Sequence, residues 1–427
     1  MVKNKKLLIL GANSETIPLV ETAKSLGVVT YVADYNLNAP AKKVADIACN
    51  IDCMNIEALE ELYKKEKIDG VMVGVADSLV KIYAKLCKKL NCPCYATPDQ
   101  AKILSNKKFF DDECRKFDIS TIPNYKVELD NFDEDEKRVT YPLFVKPVDG
   151  NSGRGISICE NKEGLEIAIY NAKEASFSGH YLVERYMNSA NILLYFTFIN
   201  GDYFLSAIGE KSTIKQKNNG SVVTQSVIYT SKYNELYNEK LKDKLEAMFK
   251  DMGIKDGILQ ISAFIENEEF YLYDPGFRLQ GEATDTHIKN SAGFDQKQML
   301  VNFALGQSVD TQILPILDTQ WTYVSKWILL KEGIIVKING IEKLKKTDRI
   351  HTINQRLFEN DVIGESMIGT ERQVFMRIYC RASNDKIFDL LDTIENNLEV
   401  LDKDRNSLII GSNYRKDTLS KCKSINK

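Results

Sequence analysis

The sequence predicts an α/β fold with a parallel-sheet domain at the N terminus and a β-rich region at the C terminus. Two patterns indicate it. Residues 6–100 alternate short apolar runs with stretches of helical periodicity, and residues 315–412 contain mainly short runs of β-forming residues. Strands that alternate with helices form βαβ units and a parallel sheet. The chain of 427 residues is long enough for about three domains.

The N-terminal region is predicted to hold three strands and three helices. The strands fall at residues 7–10, 28–33 and 70–75, and the helices at 17–26, 56–65 and 77–90. The loop after the first strand can bind a phosphate at a helix N terminus. Asp34 ends the second strand, where a dinucleotide fold carries its ribose-binding acid. Because the full glycine fingerprint is absent, we favour a half-Rossmann domain whose strand ends line a substrate cleft.

The middle of the chain is predicted to contain three strand-rich blocks and two helices. The strands fall at residues 141–147 and 155–160, at 181–185, 193–199 and 203–208, and at 257–265 and 269–274; the helices fall at 236–252 and 295–305. The pattern changes character after this region. We therefore predict three domains, at residues 1–104, 105–312 and 313–427, of which the last is β-rich.

The composition excludes several classes of protein. The 57 basic and 60 acidic residues give a net charge of −3, so we expect neither a nucleic acid nor a membrane as partner. The longest apolar runs, such as residues 7–10, are far too short to span a bilayer. Nine cysteines, an odd number, favour reduced thiols over a disulfide framework. We therefore expect a cytoplasmic protein.

The first stretch with chemical content is residues 141–158, where a strand delivers Lys146 to a glycine-rich loop and a second strand returns. Glycines let backbone N–H groups approach anionic oxygens, and the lysine adds a point charge for phosphate. This predicted phosphate loop contains Gly150, Ser152, Gly153 and Gly155. It is not a Walker loop. A glycine-rich hairpin with one exposed lysine is the alternative.

The second stretch, residues 257–282, is predicted to form a β-hairpin with a turn at 267–268. Where the return strand ends, Asp274 can hold a magnesium ion that bridges phosphates, because hard cations prefer carboxylate oxygens. Arg278 can neutralise an acyl phosphate through two parallel hydrogen bonds. The alternative is an ordinary polar strand end in solvent.

Together and in this order, the two stretches resemble the ATP-grasp superfamily of ATP-dependent ligases. That superfamily includes carbamoyl phosphate synthetase, biotin carboxylase and glycinamide ribonucleotide synthetase. The resemblance covers nearly the whole chain, because residues 333–344 are similar to the opening of the last domain in the biotin carboxylase branch. It implies an N-terminal half-Rossmann domain, the ATP-binding domain and a trailing β-rich domain.

Carried over residue by residue, the resemblance implies a nucleotide site. Residues 105–108 resemble the step that opens the ATP-binding domain, which assigns Lys107 to ATP. Lys146 resembles the strand lysine that contacts the α-phosphate and adenine, and residues 150–155 resemble the mobile flap. The adenine hinge and ribose positions are Glu184, Arg185, Tyr186, Met187 and Asn191. Lys107 and Glu184 also suit plain surface positions.

The chain departs from the family at the metal site. The family pattern is a Glu on one strand and Glu-x-Asn-x-Arg on the next. Here Asp274, Gly276 and Arg278 form the second element, and Ser262 falls where the first Glu belongs. One carboxylate remains, so the protein positions for metal are Asp274 and Ser262, with ATP phosphates and water as the main ligands. Glu282 can turn inward and compensate.

The resemblance implies ATP and Mg²⁺ or Mn²⁺ as cofactors, and a small-molecule carboxylate and an amine as substrates. ATP would convert the carboxylate into an acyl phosphate, and the amine would displace phosphate while the protein positions the reactants. The predicted catalytic residues are Arg278, Glu282 and Lys211, although Lys211 also suits a solvent position. We therefore predict an ATP-dependent carboxylate–amine ligase, and a homodimer, since dimers are common among such enzymes.

Two other functions stay open. Residues 278–282 resemble the bicarbonate-binding Arg-x-Gln-x-Glu step of biotin carboxylase, although Ala283 stands where that branch has His. The second alternative belongs to a different functional class. The absence of the family's metal-binding Glu at Ser262 is consistent with a nucleotide-binding protein that lacks catalysis. Bicarbonate dependence of ATP turnover would support the first, and tight ATP binding without turnover would support the second.

Overall fold

The computed structural model describes residues 2–148, 155–215, 222–309, 312–318 and 320–411. Its N-terminal part is a parallel sheet of order β3-β2-β1-β4 with helices packed against it. The strands are β1 (Lys6–Leu10), β2 (Val29–Ala33), β3 (Ile47–Cys49) and β4 (Gly70–Val73); the helices are α1 (Ile17–Ser25), α2 (Ile56–Glu66), α3 (Val80–Leu90), α4 (Pro98–Ile103) and α5 (Lys107–Lys116). The central strand β1 is a continuous apolar run because helices cover both faces of a parallel sheet.

Asp34, at the end of β2, has an internal role. Its carboxylate accepts hydrogen bonds from the backbone amides of Ala12, at 3.0 Å, and Asn36, at 2.8 Å. These bonds fix the loop after β1, which begins with Gly11 at a φ of +86°. These backbone hydrogen bonds give Asp34 a structural role, so its position at the end of β2 does not require that it bind the ribose of a dinucleotide.

A small antiparallel sheet of order β5-β8-β6-β7 follows. It comprises β5 (Asn124–Tyr125), β6 (Leu143–Pro147), β7 (Ser157–Cys159) and β8 (Tyr181–Arg185), with helices α6 (Phe132–Glu136) and α7 (Lys162–Ala175). Leu165 and Ile169 of α7 pack with Leu143, Val145 and Val183 of the sheet into a separate apolar core. This core leaves the opposite face of β6 and β8 free to carry polar side chains.

The rest of the chain is built around an eight-stranded antiparallel sheet, of order β13-β12-β9-β10-β11-β14-β19-β17 among the described residues. The strands are β9 (Ala190–Ile199), β10 (Asp202–Lys215), β11 (Val222–Tyr229), β12 (Gly257–Glu266), β13 (Glu269–Gly276), β14 (Thr322–Leu329), β15 (Gly333–Ile334), β16 (Lys337–Asn339), β17 (Ile350–Gln355), β18 (Val362–Ile363), β19 (Val374–Ala382) and β20 (Glu399–Leu401). The helices are α8 (Asn234–Lys240), α9 (Lys242–Asp251), α10 (Thr284–Ala292), α11 (Gln296–Ala304), α12 (Ile341–Lys345) and α13 (Ile387–Asn397).

The large sheet runs across residue 313, the start of the predicted third domain. Strand β14 pairs with β11 over Ser226–Tyr229, and β19 pairs with β14. The C-terminal strands therefore extend the sheet of the preceding region, while α13 packs a second apolar core on them. The division at residues 1–104, 105–312 and 313–427 stays a prediction.

Most predicted elements lie within a few residues of the observed ones. The hairpin turn at Asn267 and Glu268 has φ angles of 51° and 60°, as a two-residue turn between twisted strands requires. The helix expected at 236–252 breaks at Leu241 into α8 and α9. Strand β11 and helices α7 and α10 were not predicted. No helix in the described ranges is both long and apolar enough to cross a membrane.

Candidate functional site

Lys146 and Glu184 form a buried ion pair on the free face of the small sheet. Their Nζ and Oε2 atoms are 2.6 Å apart, and each side chain is 6% exposed. In the antiparallel register Lys146 lies opposite Leu182, so Glu184 is its diagonal neighbour on the same face. Burial lowers the pKa of the Lys146 amine, and the charge of Glu184 opposes this effect. The pair holds one cation at a fixed position on the floor of a cleft.

Lys107 brings a second cation to this cleft from the first residue of α5. Its Nζ lies 3.9 Å from Oδ1 of Asp274 on the large sheet. The positive charge of Lys107 also lowers the pKa of Lys146. The side chain of the preceding residue, Asn106, accepts a hydrogen bond from the backbone amide of Phe109. This N-cap fixes where the helix begins. The structure thus brings the predicted phosphate-binding lysines together with the predicted metal ligand.

A β-bulge shapes the metal side of the cleft. Ser262 lies opposite Asp274, but the next pair is Ala263 with Leu272, so Tyr273 is an extra residue in β13. Bulges redirect side chains and are common beside active sites. The Tyr273 hydroxyl donates to Oδ1 of Asn191 at 3.1 Å. A regular hairpin with this turn would pair Ser262 with Tyr273; the bulge shifts the register by one residue and brings Asp274 opposite Ser262.

Lys211 of β10 faces the same carboxylates. Burial alone would lower the pKa of its amine, but the phenol of Tyr273 and the carboxylates of Glu282 and Asp274 act more strongly together, and the net pKa is raised. The half-buried Lys211 is therefore favoured in its ammonium form by the charges of Glu282 and Asp274. The three predicted catalytic and metal positions Lys211, Glu282 and Asp274 share one electrostatic environment.

Arg278 is held by groups on both sides of the cleft. Its Nη1 donates to the Leu279 carbonyl at 2.8 Å and to Oε1 of Gln280 at 2.9 Å, while Nη2 forms an ion pair with Asp77. Its Nε is buried and has no hydrogen-bond partner among the described residues. Asp77 begins a short 3₁₀ turn at the carboxyl end of β4, the edge where ligands bind to open parallel sheets.

A charged network from the C-terminal strands closes the far end of the cleft. Arg377 of β19 donates to the Gly281 carbonyl at 2.7 Å and lies 3.0 Å from Glu15 and 2.6 Å from Glu371. Burial would raise the pKa of Glu15, but Arg377 and Arg356 overcome it and the net pKa is lowered. Because Arg377 lies 96 positions after Gly281 and 362 after Glu15, no local signal predicts that these parts of the chain meet. The network joins three parts of the chain around residues 278–282.

The hinge after β8 contains a backbone donor that has no acceptor in the described part of the chain. The amides of Arg185 and Tyr186 donate to the carbonyls of Pro123 and Pro142, at 3.0 and 3.1 Å. For the Met187 amide, the described chain offers no acceptor. The Arg185 guanidinium pairs with Glu266 of β12 at 2.7 Å and so links the small sheet to the large one.

The predicted phosphate loop is described only from Gly155 onward. Gly155 has a φ of +72°, and a Cβ there would lie 2.6 Å from the Cβ of Ala175. A side chain at this position would therefore collide with α7, which makes glycine a packing requirement. Gly150, Ser152 and Gly153 lie outside the described residues, as does most of the predicted flap.

Asp111 of α5 was not predicted and lies behind the buried pair. Burial, together with the nearby charge of Glu184, raises the pKa of its carboxyl to about 6, although Asn124 donates to it at 3.0 Å. The sequence does not show that this carboxylate is buried, because charged residues occur throughout helix 107–116 and are typical of a solvent-exposed helix.

Comparisons with known proteins agree with this architecture. The family model described as D-ala D-ala ligase C-terminus matches residues 114–268. The formate-dependent phosphoribosylglycinamide formyltransferase of Bacillus velezensis is 28% identical over 225 residues, or 49% of this chain and 56% of that protein. The carbamoyl phosphate synthase large chain of Clostridium perfringens is 24% identical over 72% of this chain and 30% of its own length. This chain spans about half the length of the formyltransferases it matches.

Two solved structures align over nearly all of the chain. The phosphoribosylglycinamide synthetase from Anaerococcus prevotii has a TM-score of 0.73 at 19% identity, and covers 94% of this chain and 100% of its own. The L-amino acid ligase from Bacillus licheniformis has a TM-score of 0.76 at 17% identity, and covers 94% and 99%. The chain has the ATP-grasp fold. The predicted fold class and the resemblance to the ATP-grasp superfamily are both confirmed.

Within this ATP-grasp fold, the residues fit a magnesium ion carried by ATP better than one enclosed by protein. Asp274 offers a carboxylate, but the hydroxyl of Ser262 already accepts from Nε2 of Gln260 at 2.8 Å. Among the described residues, no group of three or more His, Cys, Asp or Glu side chains is placed to hold a metal. Mg²⁺ usually combines one or two carboxylates with phosphates and water, and one carboxylate meets that requirement.

Proposed function

We propose that this chain is an ATP-dependent ligase that activates a small-molecule carboxylate as an acyl phosphate and joins it to an amine. The observation that carries the proposal is that the charges of Lys107, Lys146 and Lys211 all interact with Asp274, four residues before Arg278. Phosphoryl transfer needs positioning and charge stabilisation more than covalent chemistry from the protein. This set of side chains suits that requirement.

At the nucleotide end, Lys146 and Lys107 would contact phosphates, with Glu184 holding Lys146 in place. The Met187 amide, which is free of acceptors in the described chain, would donate to the edge of adenine. The remaining ATP contacts proposed for the chain are Gly150, Ser152, Gly153, Gly155, Arg185, Tyr186 and Asn191. Of these, Arg185 would position the hinge, since its guanidinium pairs with Glu266 and its amide donates to the Pro123 carbonyl.

At the metal position, Asp274 would be the principal protein ligand of Mg²⁺ or Mn²⁺, and Ser262 a weak one. The ion would screen the charge of the phosphates during transfer. Asp274 is 54% exposed in its side chain, so it can reach an ion that arrives with ATP.

At the transfer end, an oxygen of the carboxylate attacks the γ-phosphorus and the bond to the bridging oxygen of ADP breaks. Arg278 and Lys211 would stabilise the negative charge on the transferred phosphoryl group. The amine then attacks the acyl carbon and phosphate leaves. Glu282, beside Lys211, would accept the proton that the amine loses.

The proposal is tested by trapping the acyl phosphate with hydroxylamine, which converts it into a stable hydroxamate. The purified chain is incubated with ATP, Mg²⁺ and pools of carboxylates that include formate and L-amino acids. We expect hydroxamate and ADP in equal amounts with one pool, and neither with Asp274→Asn. ADP formation that depends on bicarbonate alone would support the biotin carboxylase-like alternative.

A nucleotide-binding protein without catalysis is the second candidate, and the replacement of a metal carboxylate by Ser262 favours it. Tight ATP binding in calorimetry without ADP formation for any pool would establish that function and reject the ligase. Ser262→Glu restores the family's carboxylate. A gain of ATP turnover in this variant would show that the loss at this position limits catalysis.

We also infer a cytoplasmic homodimer. The cysteines of the described residues are all unpaired thiols, which suits a reducing compartment. The ATP-grasp fold is shared with a biotin carboxylase domain whose structure is named as a dimer. Light scattering at micromolar concentration tests the dimer, and a monomeric mass would reject it.

A further inference from the structure

We propose that His287 and Ser325 are positioning residues that hold Glu282 in place for a proton transfer. This inference rests on the proposed function, in which the amine nitrogen attacks the acyl carbon and phosphate leaves with the bonding electrons. The proton then passes from that nitrogen to a carboxylate oxygen of Glu282. His287 and Ser325 are both 0% exposed, so they act on Glu282 from the protein interior and do not touch a substrate.

Two hydrogen bonds in series connect His287 to the backbone of Glu282. The Ser325 Oγ on β14 lies 3.0 Å from the Glu282 carbonyl oxygen and 3.0 Å from Nε2 of His287. A carbonyl oxygen can only accept, so the single proton of the Ser325 hydroxyl points to it. The Ser325 oxygen must then accept from His287, whose ring carries its proton on Nε2. The order of donors is therefore His287, Ser325 and the acceptor Glu282.

The surroundings of His287 keep its ring neutral. Burial lowers the pKa of the imidazole to about 3. The ring lies among the aromatic rings of Tyr229, Tyr323 and Tyr379, whose centroids are 5.0, 5.5 and 5.8 Å away. Its Nδ1 has no hydrogen-bond partner among the described residues. A neutral imidazole has one N–H donor, so the bond to Ser325 uses it and stays unchanged around neutral pH.

The backbone next to Glu282 is strained and needs such support. Ala283 has a φ of +52° and a ψ of +44°, in the left-handed region that residues other than glycine rarely adopt. Its amide donates to the Gln280 carbonyl at 3.1 Å, and its carbonyl accepts from the Thr286 amide at 3.0 Å. Strained backbone persists where the surrounding structure fixes it, and it is common at active sites. The turn at Ala283 sets the direction in which Glu282 leaves the chain.

Contacts on both sides of Glu282 fix the same turn. Arg377 of β19 donates to the Gly281 carbonyl at 2.7 Å. The hydroxyl of Thr284, the first residue of α10, forms a hydrogen bond with the hydroxyl of Tyr229 on β11 at 2.9 Å. With the contact from β14, the turn is held by β11, β14 and β19, which are neighbours in the large sheet. The sheet therefore anchors the turn through its backbone and the residue after it.

The carboxylate of Glu282 acts on the proposed transfer site. Burial lowers the pKa of the Lys211 amine, but the charges of Tyr273, Glu282 and Asp274 more than offset this effect. Glu282 therefore shares an electrostatic environment with Asp274, the proposed metal ligand. A misplacement of about 1 Å can lower an enzymatic rate by about 100-fold. An anchor on the backbone of residue 282 is thus expected to control the rate of proton transfer.

The order of hydrogen bonds can be tested without catalysis, because the chain contains three histidines. Labelling with ¹⁵N-histidine gives three sets of imidazole signals in nuclear magnetic resonance, and the set that His287→Gln removes belongs to His287. We expect a slowly exchanging Nε2–H that does not titrate between about pH 5 and 8. Ser325→Ala should make this proton exchange faster. An Nδ1–H tautomer, or titration of the ring in this range, would overturn the proposal.

Catalysis is tested in two separate steps with the full chain, ATP, Mg²⁺ and the carboxylate pool that supports hydroxamate formation. Exchange of labelled ADP into ATP measures formation of the acyl phosphate, which needs no amine. Hydroxamate formation at limiting hydroxylamine measures attack by an amine, because hydroxylamine loses a proton when it forms the product. We expect Ser325→Ala to lower hydroxamate formation by about 30-fold, within the scale of general base catalysis. The exchange rate and the KM for ATP should change by less than about threefold.

Coupling to Glu282 distinguishes positioning from a general loss of structure. In the Glu282→Gln background, Ser325→Ala should lower hydroxamate formation by less than about twofold, because the group that it positions is already lost. His287→Gln keeps an N–H donor and should stay within about threefold of the parent, whereas His287→Leu should match Ser325→Ala. Equal losses from Ser325→Ala in both backgrounds would overturn the proposal.

Ser226→Ala is the matched control. Ser226 lies on the neighbouring strand β11, is 1% exposed, and its hydroxyl has no hydrogen-bond partner among the described residues. We expect this variant to keep the parent's rates in both steps. A loss as large as that of Ser325→Ala would show that any buried serine of this sheet has the same effect, and would overturn the proposal.

Failure of the proposed function gives a different result. If the parent forms no hydroxamate with any carboxylate pool, the ligase proposal fails, and the imidazole signals still decide the order of hydrogen bonds. A slowly exchanging Nε2–H that becomes labile in Ser325→Ala would then support the contact with residue 282 and reject its link to proton transfer. Without that signal, both parts of the inference are overturned.

Discussion

The cleft contains two cation–carboxylate pairs that differ in burial. Lys146 and Glu184 are both 6% exposed and lie 2.6 Å apart, whereas Asp77 is 52% exposed and Arg278 15%. Removing one partner of a buried pair leaves an uncompensated charge, while an exposed pair contributes little to stability. The buried pair therefore fixes one position of the proposed nucleotide site, whereas the second pair is open to solvent at Asp77.

Breaking the buried pair should have the largest effect on folding. We expect Lys146→Ala to lower the free energy of unfolding by about 3–5 kcal/mol, because Glu184 stays buried without its cation. ATP binding should weaken by about 1.5–3 kcal/mol, the scale of a charged hydrogen bond. Urea unfolding and calorimetry measure the two quantities. The double variant Lys146→Met with Glu184→Met is the control and should recover much of the stability; no recovery would mean the pair is not the cause.

Asp274, which lies 3.9 Å from the Lys107 amine, tests the chemistry. Asp274→Asn should lower ATP turnover by about 100-fold or more, roughly 2.7 kcal/mol in the barrier, while ATP binding falls less. High Mg²⁺ should restore part of the turnover, because phosphates and water then hold the ion. Turnover equal to that of the parent would place the metal elsewhere, with Glu282 as the next carboxylate to test.

Asp111 sharpens the comparison, because it is a buried carboxyl without a cation of its own. Its folded pKa of about 6 lies above the ordinary value of 3.8. The stability it contributes is therefore present below pH 3.8 and lost as the pH rises through 6. We expect Asp111→Asn to have the same free energy of unfolding as the parent near pH 4. At pH 7 its free energy of unfolding should be about 1–3 kcal/mol higher than that of the parent. A gain that is the same at both pH values would show that ionisation is not the cause.

The exposed pair should have the smallest effect on folding. We expect Asp77→Asn to change the free energy of unfolding by less than about 1 kcal/mol, and less still at high salt. Denaturant titrations at low and high salt measure this. A loss above about 2 kcal/mol would show that Asp77 and Arg278 form a structural pair like Lys146 and Glu184.

The sequence predicts the parts of the site that depend on local pattern. Lys146 and Glu184 follow from strand periodicity together with the family resemblance. Ser262 does lie opposite Asp274 as predicted, but the turn alone would pair it with Tyr273, and the bulge supplies the shift of one residue. The assignment of these residues to ATP and metal stays a prediction.

Other parts of the site depend on tertiary structure and could not be read from local pattern. Tyr273 was missed because a bulge breaks the period of two, and Arg377 because β19 meets the cleft from more than 90 residues away. Asp77 was missed as a partner of Arg278 because 201 residues separate them. Helix α7 was missed although its apolar positions Leu165 and Ile169 follow helical spacing.

The pairing of β14 with β11 has a consequence for how this gene can be divided. A fragment that stops before residue 320 would expose the backbone edge of β11, and unpaired edges invite association with other chains. It would also remove Arg377 from the Gly281 carbonyl. The ATP-binding part of the chain is therefore not expected to fold independently of the C-terminal strands. We expect such fragments to aggregate under conditions in which the whole chain stays in solution.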